Sequence, residues 1–200
     1  MAISYPIVMP LRADGTTIIQ SYDLRMVEKI GVSESPFSYK QQFQDYNSMR
    51  WELDIKTVPL YGEDALNVRG FLQSLRGQLG RFYVSIPQLL ANQYEMASAA
   101  FTNDMELDVR LISSGFSHRF KRGTYFSMAN RLYMATTDLS SLGGNGSVDI
   151  TPKLRDNRNA NDPIYTYNPI GVFRLNSNDP NVSVDVTEGH SMTISCHEAI

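Results

Sequence analysis

The residues that could do chemistry are few, and their spacing is poor for it. Histidine occurs only at positions 118, 190 and 197, and cysteine only at 196. A zinc hydrolase needs two histidines one helical turn apart with a glutamate between them, and no HExxH run is present. Cys196-His197 has the composition of a thiol–imidazole pair. Neighbours on a strand point to opposite faces, however, so these two are not expected to share a nucleophile–base geometry. Cys196 is expected on an inner, structural face, and Glu188-Gly189-His190 in a turn. With one cysteine the chain can build neither an internal disulfide nor a thiolate metal cluster. Gly143-Gly144-Asn145-Gly146 lacks the Lys-Ser/Thr that completes a phosphate loop and is read as a hairpin turn. Asp23, Asp45, Asp54, Asp104 and Asp108 lack the spacing of a calcium loop. No catalytic residue, cofactor ligand or metal ligand is predicted, and the chain is expected not to be an enzyme.

Charge narrows the partner classes. The 200 residues carry a net charge of −3, which offers no general attraction to phosphate backbones or anionic lipid. The one basic cluster, His118-Arg119-Phe120-Lys121-Arg122, reads as a charged strand or hairpin edge. The aromatic and basic stretch from Phe116 to Tyr125 has the residue types of a base-stacking surface, but net acidity argues against that use. The first residues show no basic segment leading into an apolar one, so no signal peptide is predicted. No apolar run approaches the roughly 20 residues of a membrane span, so no membrane insertion is expected.

The elements that position these residues are mostly strands. Met9 is reached through a short apolar segment broken by Pro6 and Pro10, which suits an edge strand or an extended arm. Asp14-Gly15 is a turn, followed by the β-prone Thr16–Ile19. Leu24, Met26 and Glu28 alternate with Arg25, Val27 and Lys29, and Ser33–Pro36 is a turn. Phe37, Tyr39, Gln41 and Phe43 then share one parity. Trp51, Leu53, Ile55 and Thr57 oppose Arg50, Glu52, Asp54 and Lys56, the pattern of a strand with its back to water. One helix is predicted over 63–75, from Ala65, Val68, Leu72 and Leu75 with Phe71 beside them. Glu63 and Asp64 fall in its first turn, Gly77 or Gly80 stops it, and Gly70 would mark close packing. A strand follows over 81–86. Residues 88–104 read as a linker with weak periodicity. Further strands are predicted around 107–111, 116–120, 124–128, 131–136 and 148–150, and 154–163 as a polar loop with little reason to pack. Three strands, 171–175, 182–186 and 191–197, close the chain. Turn signals about every 8–12 residues indicate barrels or sandwiches.

Two stretches resemble a known family. Trp51-Glu52-Leu53-Asp54 through Pro59-Leu60, Ala65 and Phe71-Leu72-Gln73-Ser74-Leu75-Arg76-Gly77-Gln78-Leu79-Gly80-Arg81-Phe82 is similar to the strand–helix–strand of distal tail (tail-hub) proteins of long-tailed bacteriophages. Arg122-Gly123-Thr124-Tyr125-Phe126, Arg131-Leu132-Tyr133-Met134, Gly146–Ile150, Pro152–Arg155 and Gly171–Leu175 resemble their downstream pattern. Thr124 departs from it, standing where Asp is common. The resemblance spans roughly residues 49–175. It implies a structural virion protein of the siphophage tail, made in the host cytoplasm. Such a protein forms a hexameric ring joining the tail-tube protein to the tip or hub protein around the DNA conduit.

The expected fold is mainly β: an amino-terminal split β-barrel with one flanking α-helix, plus a second small β-barrel-like unit. Residues 1–99, completed by 164–200, would form the ring-building domain, and 100–163 an inserted β domain. Expected contact residues are Tyr5 and Pro6 on the proline-bearing arm, and the basic residues Arg76, Arg81, Arg119, Lys121, Arg122, Arg155 and Arg158. Two rival functions remain open from the residues alone. A flavin-binding split barrel would start its phosphate cradle at Arg76 and Arg81. A carbohydrate-binding accessory domain would stack sugars on Tyr125, Tyr133 or Trp51.

Overall fold

The computed structural model describes residues 4–112, 120–139, 145–178, 182–184 and 189–200, with the side chains of 89–92, 145 and 182–184 outside that description. In chain order the strands are β1 (Ile7–Val8), β2 (Ile19–Glu34) and β3 (Gln41–Thr57), followed by the helix α1 (Gly62–Ser74) and a 3-10 turn at Gly77–Leu79. Then come β4 (Phe82–Ser85), β5 (Leu89–Met96), β6 (Glu106–Leu111), β7 (Tyr125–Met128), β8 (Arg131–Ala135), β9 (Asn145–Thr151), β10 (Pro163–Tyr167), β11 (Ile170–Leu175), β12 (Val182–Val184) and β13 (His190–Glu198). The protein is mainly β, with a single α-helix among the described residues. It contains a closed six-stranded barrel and a separate mixed sheet. The chain divides into two compact units: residues 1–9, 79–174 and 199–200 in one, 10–78 and 175–198 in the other.

The first unit holds the barrel, in the order β10-β5-β6-β9-β8-β7, with Tyr165 of β10 meeting Ser127 of β7 to close it. Six strands leave no lumen, so the interior is filled by side chains. Tyr94, Met96, Leu107, Val109, Phe126, Tyr133, Val148 and Ile150 are buried there. Along β5, β6 and β9 their alternation is the period-2 pattern of a sheet with one dry face, whereas β7 and β8 bury consecutive residues. Rings of Tyr94, Phe120, Phe126 and Tyr133 run in series, with successive centroids 5.1, 5.1 and 5.6 Å apart. The Tyr133 hydroxyl accepts a hydrogen bond from the Arg155 N–H at 3.1 Å. Beside the barrel in the same unit, β4 pairs parallel with β1 and antiparallel with β11.

Two expectations fail in this unit. Residues 89–96 form a barrel strand where a linker was expected; β5 pairs with both β6 and β10. Its Asn, Gln and Ala are weak strand formers, and the partners on either side impose the conformation. The polar segment 154–163 also packs. Leu154 is buried, and Ala100 and Arg158 exchange both backbone hydrogen bonds, at 3.0 and 2.9 Å.

In the second unit, β3 pairs antiparallel with β2 and with β13, and β12 pairs with β13. Trp51, Leu53, Ile55 and Thr57 are buried as their alternation predicts, and Cys196 and Ile194, the ladder partners of Leu53 and Ile55 on β13, are buried beside them. The opposite face is a charge lattice. Arg25 reaches Glu52 at 3.2 Å and Asp54 at 3.6 Å, and Arg50 reaches Glu52 at 2.7 Å. The Arg50 hydrogen bond holds the Glu52 carboxyl below its ordinary range, with Arg25 adding to the effect. Helix α1 buries Ala65, Val68, Phe71 and Leu72, and Leu75 just past its end. Its first turn carries Glu63 and Asp64, and Asp64 also accepts the Ala13 N–H at 2.9 Å. Gly70 faces open space and so does not mark close packing as expected.

Gly77 is the glycine that matters. Its φ is +66°, and an added Cβ would lie 2.9 Å from the Asn178 Cα. Both the left-handed conformation and the backbone contact exclude a side chain. Gly77→Ala is expected to cost about 1–3 kcal/mol, seen as a lower urea midpoint with an unchanged slope.

Candidate assembly surfaces

The hairpin of β2 and β3 is longer than the core that supports it. Cross-strand partners share a face, and one face begins with the pairs Tyr22–Ile55, Leu24–Leu53 and Met26–Trp51. Burial ends at that last pair: every residue from Gln41 to Ser48 is exposed. The ladder nonetheless continues to Glu34–Gln41. From Met26 to Glu34 the strand rise of ~3.3 Å per residue gives a projection of about 27 Å.

The two faces of this arm differ: one carries Ile30, Val32 and Phe43 interspersed with Glu28, Asp45 and Glu34. Ile30 pairs with Asp45, and Val32 with Phe43, on the face that carries Trp51 further down. Ile30 is 51% exposed, Val32 58% and Phe43 67%. On the other face Gly31 meets Gln44, and Ser33 meets Gln42. The Tyr46 ring lies against Gly31, where a Cβ would come within 3.1 Å of it. The tip is closed by Ser35 N–H to Lys40 O at 3.0 Å and Tyr39 N–H to Ser35 O at 2.9 Å, and Phe37 there is 96% exposed. Between Ser48 and Asp45 the residues Tyr46 and Asn47 stand outside the ladder opposite the Lys29–Ile30 step. Asn47 adopts φ +52°, and its N–H donates to the Asp45 carboxylate at 2.7 Å. Among the described residues, strand β2 has no neighbour beyond β3 in the strand order.

Two-stranded ribbons are marginal in water without a packed face, and exposed apolar patches of this kind mark interaction surfaces. The sequence pattern places alternating strands at Leu24–Lys29 and Phe37–Phe43 and a turn at Ser33–Pro36, and singles out none of these residues as a contact. β2 instead runs on to Glu34 and β3 begins at Gln41, so Phe37 and Tyr39 fall in the tip. The available signal was the apolar parity of Ile30, Val32 and Phe43 running on past the charged–apolar strand of Trp51.

The predicted contact residues are dispersed. Tyr5 and Pro6 are half-buried beside β1, and Arg81 is exposed at the start of β4, where its carbonyl accepts the Ile7 N–H at 3.0 Å. Arg76 is exposed at the end of α1, with φ +54°. It belongs to the other unit from Arg81. Lys121 and Arg122 share one turn, and the Arg122 Nε donates to the Thr136 carbonyl at 2.8 Å. Arg155 and Arg158 share one half-buried segment, with Arg158 on Asp156 at 3.2 Å. Arg119 and His118 lie outside the described residues, as do Gly143, Gly144 and Glu188. Trp51 and Tyr133 are buried and offer no ring face to a sugar, while Tyr125 is half-buried.

Two further groups bear on chemistry. An acidic cleft of ≈ 550 Å³ in the barrel unit is lined by Ser98, Asp104, Glu106, Asp108 and Asp149. Asp104 is engaged by the Phe101 N–H and Asp108 by the Ser98 hydroxyl, each at 2.7 Å. Among the described residues no cluster of His, Cys, Asp or Glu is arranged to hold a metal ion. Cys196 is buried, and its thiol donates to the Leu53 carbonyl at 3.2 Å. Burial pushes its pKa far up, with the Asp54 charge adding to the shift. A thiol that stays protonated is a poor nucleophile. Native protein is therefore expected to show no reaction with a disulfide reagent over minutes at pH 8. One thiol per chain should react after denaturation.

No protein-family model matches the chain, and no curated protein matches it.

Proposed function

We propose that this chain is a structural subunit of the distal tail of a long-tailed bacteriophage. Copies of it close into a ring, hexameric by the resemblance, between the tail-tube protein and the tip or hub protein. The observation that carries this reading is the β2–β3 arm, which projects beyond its own core with Ile30, Val32, Phe37 and Phe43 exposed. A subunit built to assemble needs such a surface, and a soluble monomer does not. The resemblance over Phe71–Phe82 and Arg122–Leu175 supplies the kind of assembly. The net charge of −3 suits a ring that DNA must pass without sticking.

Cryo-electron microscopy of intact particles tests the reading. A ring of this chain at the tail end is the expected result. Its location in a capsid, or its purification as a stable monomeric enzyme carrying a yellow flavin, would remove the proposal.

A further inference from the structure

We infer that the barrel is latched shut by the side chain of Gln88, and that the β7–β10 seam it bridges is where the barrel opens. This seam is the thinnest line of the barrel. β7 and β10 share a single ladder pair, Tyr165–Ser127, whereas each of the other five seams holds at least two. One step along an antiparallel ladder Tyr167 would stand opposite Tyr125, and the ladder stops short of that pair. Between Tyr165 and Tyr167, β10 also changes register against β5.

The Gln88 amide fills the gap. Its Oε1 accepts the Tyr125 N–H at 3.0 Å, and its Nε2 donates to the Tyr125 carbonyl at 2.7 Å. That is the two-bond exchange of a hydrogen-bonded antiparallel pair, made by a side chain in place of a peptide. Nε2 also donates to the Thr166 carbonyl of β10 at 2.8 Å. A carboxamide has two N–H donors and one acceptor oxygen, so both hydrogens are used and both strands are held. Turning the amide over would set its oxygen against two carbonyls. The other side-chain tie at this end is Ser127, whose Oγ accepts the Ile170 N–H at 3.1 Å.

A side chain releases by rotating about its own bonds, without peeling two backbones apart. Gln88 is half-buried, and hydrogen bonds within reach of water are the ones that open locally at low cost. Released, the barrel becomes an open six-stranded sheet with β7 and β10 as its edges. The latch is anchored outside the barrel. Residues 86–88 lead from β4 into β5, residues 168–169 lead from β10 into β11, and β4 pairs with β11. Where these connections meet, the Gln88 N–H donates to Asn168 Oδ1 at 3.2 Å. The Gln88 carbonyl accepts the Asn168 N–H at 3.3 Å, and the Ile86 N–H donates to the Pro169 carbonyl at 2.9 Å. A shift of the β4–β11 pair thus reaches the seam through Gln88, which couples barrel closure to those strands.

Hydrogen exchange on the full chain tests this, read amide by amide as the ratio of variant to wild type at the same pH. Gln88→Leu keeps bulk and loses all three side-chain bonds. Its Tyr125 amide should exchange at least 10-fold faster, while Leu107, Val109, Val148 and Ile150 stay within 2-fold. Gln88→Glu is read at two pH values and so carries its own folding control. At pH 7 its carboxylate turns an oxygen towards carbonyls that need a donor, and Tyr125 should again exchange at least 10-fold faster. That site favours the neutral acid and raises the new carboxyl's pKa, so closure is held at low pH and lost as pH rises. At pH 4 the excess should fall below 3-fold. Asn168→Gly keeps the left-handed backbone, φ +44°, but removes the Oδ1 anchor, and should speed Tyr125 at least 3-fold. Asn168→Asp retains an acceptor and should match wild type. Tyr125 rates within 2-fold of wild type in Gln88→Leu, equal acceleration across the barrel, or a pH-independent excess in Gln88→Glu each overturn the latch. Wild-type Tyr125 exchange in Asn168→Gly overturns the coupling to β4 and β11.

Discussion

Phe126→Ala is expected to remove about 3–5 kcal/mol from the barrel unit, the usual cost of emptying a large aromatic site that cannot collapse. Phe126 is fully buried on β7. It stands between Phe120 at 5.1 Å and Tyr133 at 5.6 Å, so its loss breaks the ring series in the middle. Each ring pair contributes about 0.5–1.5 kcal/mol beyond simple burial. The neighbours are pinned. Tyr133 sits on β8 with its hydroxyl bonded to the Arg155 N–H, and the β7–β8 ladder runs from Tyr125–Met134 to Met128–Arg131. Phe126→Leu, which fills most of the volume, should cost well under half as much. Urea unfolding followed by far-ultraviolet circular dichroism measures both, and hydrogen exchange localises the loss to β7 and β8. A loss below about 1 kcal/mol for the alanine variant would mean that the ring series is not the centre of this core.

Trp51→Ala has a comparable expected cost in the other unit, again about 3–5 kcal/mol. Trp51 is only 2% exposed and faces Met26 across the ladder. Its backbone N–H donates to the buried Glu198 carboxylate at 3.3 Å, a contact that the substitution leaves in place. The loss is thus one of packing, located where the covered half of the hairpin meets the uncovered half. Amides of β3 between 51 and 57 should then exchange faster, along with their partners on β2 and β13. Trp51→Phe should recover most of the stability. As Trp51 is the only tryptophan, the transitions are followed by circular dichroism. Wild-type exchange rates in the alanine variant would show that the hairpin is held from elsewhere.

What could be read from the residues follows from how local each signal is. The Trp51 strand and helix α1 were legible because their periods, 2 and 3.6, are written within a dozen residues. Pro59 and Gly62 separate them. Cys196 was placed correctly on an inner face by the same alternation. Strand β5 was not legible, since Ala, Asn and Gln show little preference and the conformation comes from β6 and β10, partners distant in sequence. Leu154 is a single apolar residue in a polar stretch, and its burial depends on a barrel interior that no local pattern announces. The arm is the instructive case. Parity was legible for Leu24–Lys29 and for Phe43, but no sequence period shows that the ladder continues through Ile30 and Val32 to Glu34 beyond the buried residues. The family resemblance drew on segments outside it.

The two residues that stand outside the ladder at Tyr46–Asn47 carry a rule about length. Because the excursion is even-numbered, Val32 and Phe43 come back in phase with Met26 and Trp51. An odd excursion would turn Phe43 onto the side of Ser33 and split the apolar stripe between two faces. Single-residue insertions or deletions between Asp45 and Ser48 should therefore be rejected in any lineage that keeps the arm working. Paired ones should be tolerated, so the reading frame of this hairpin is counted in twos.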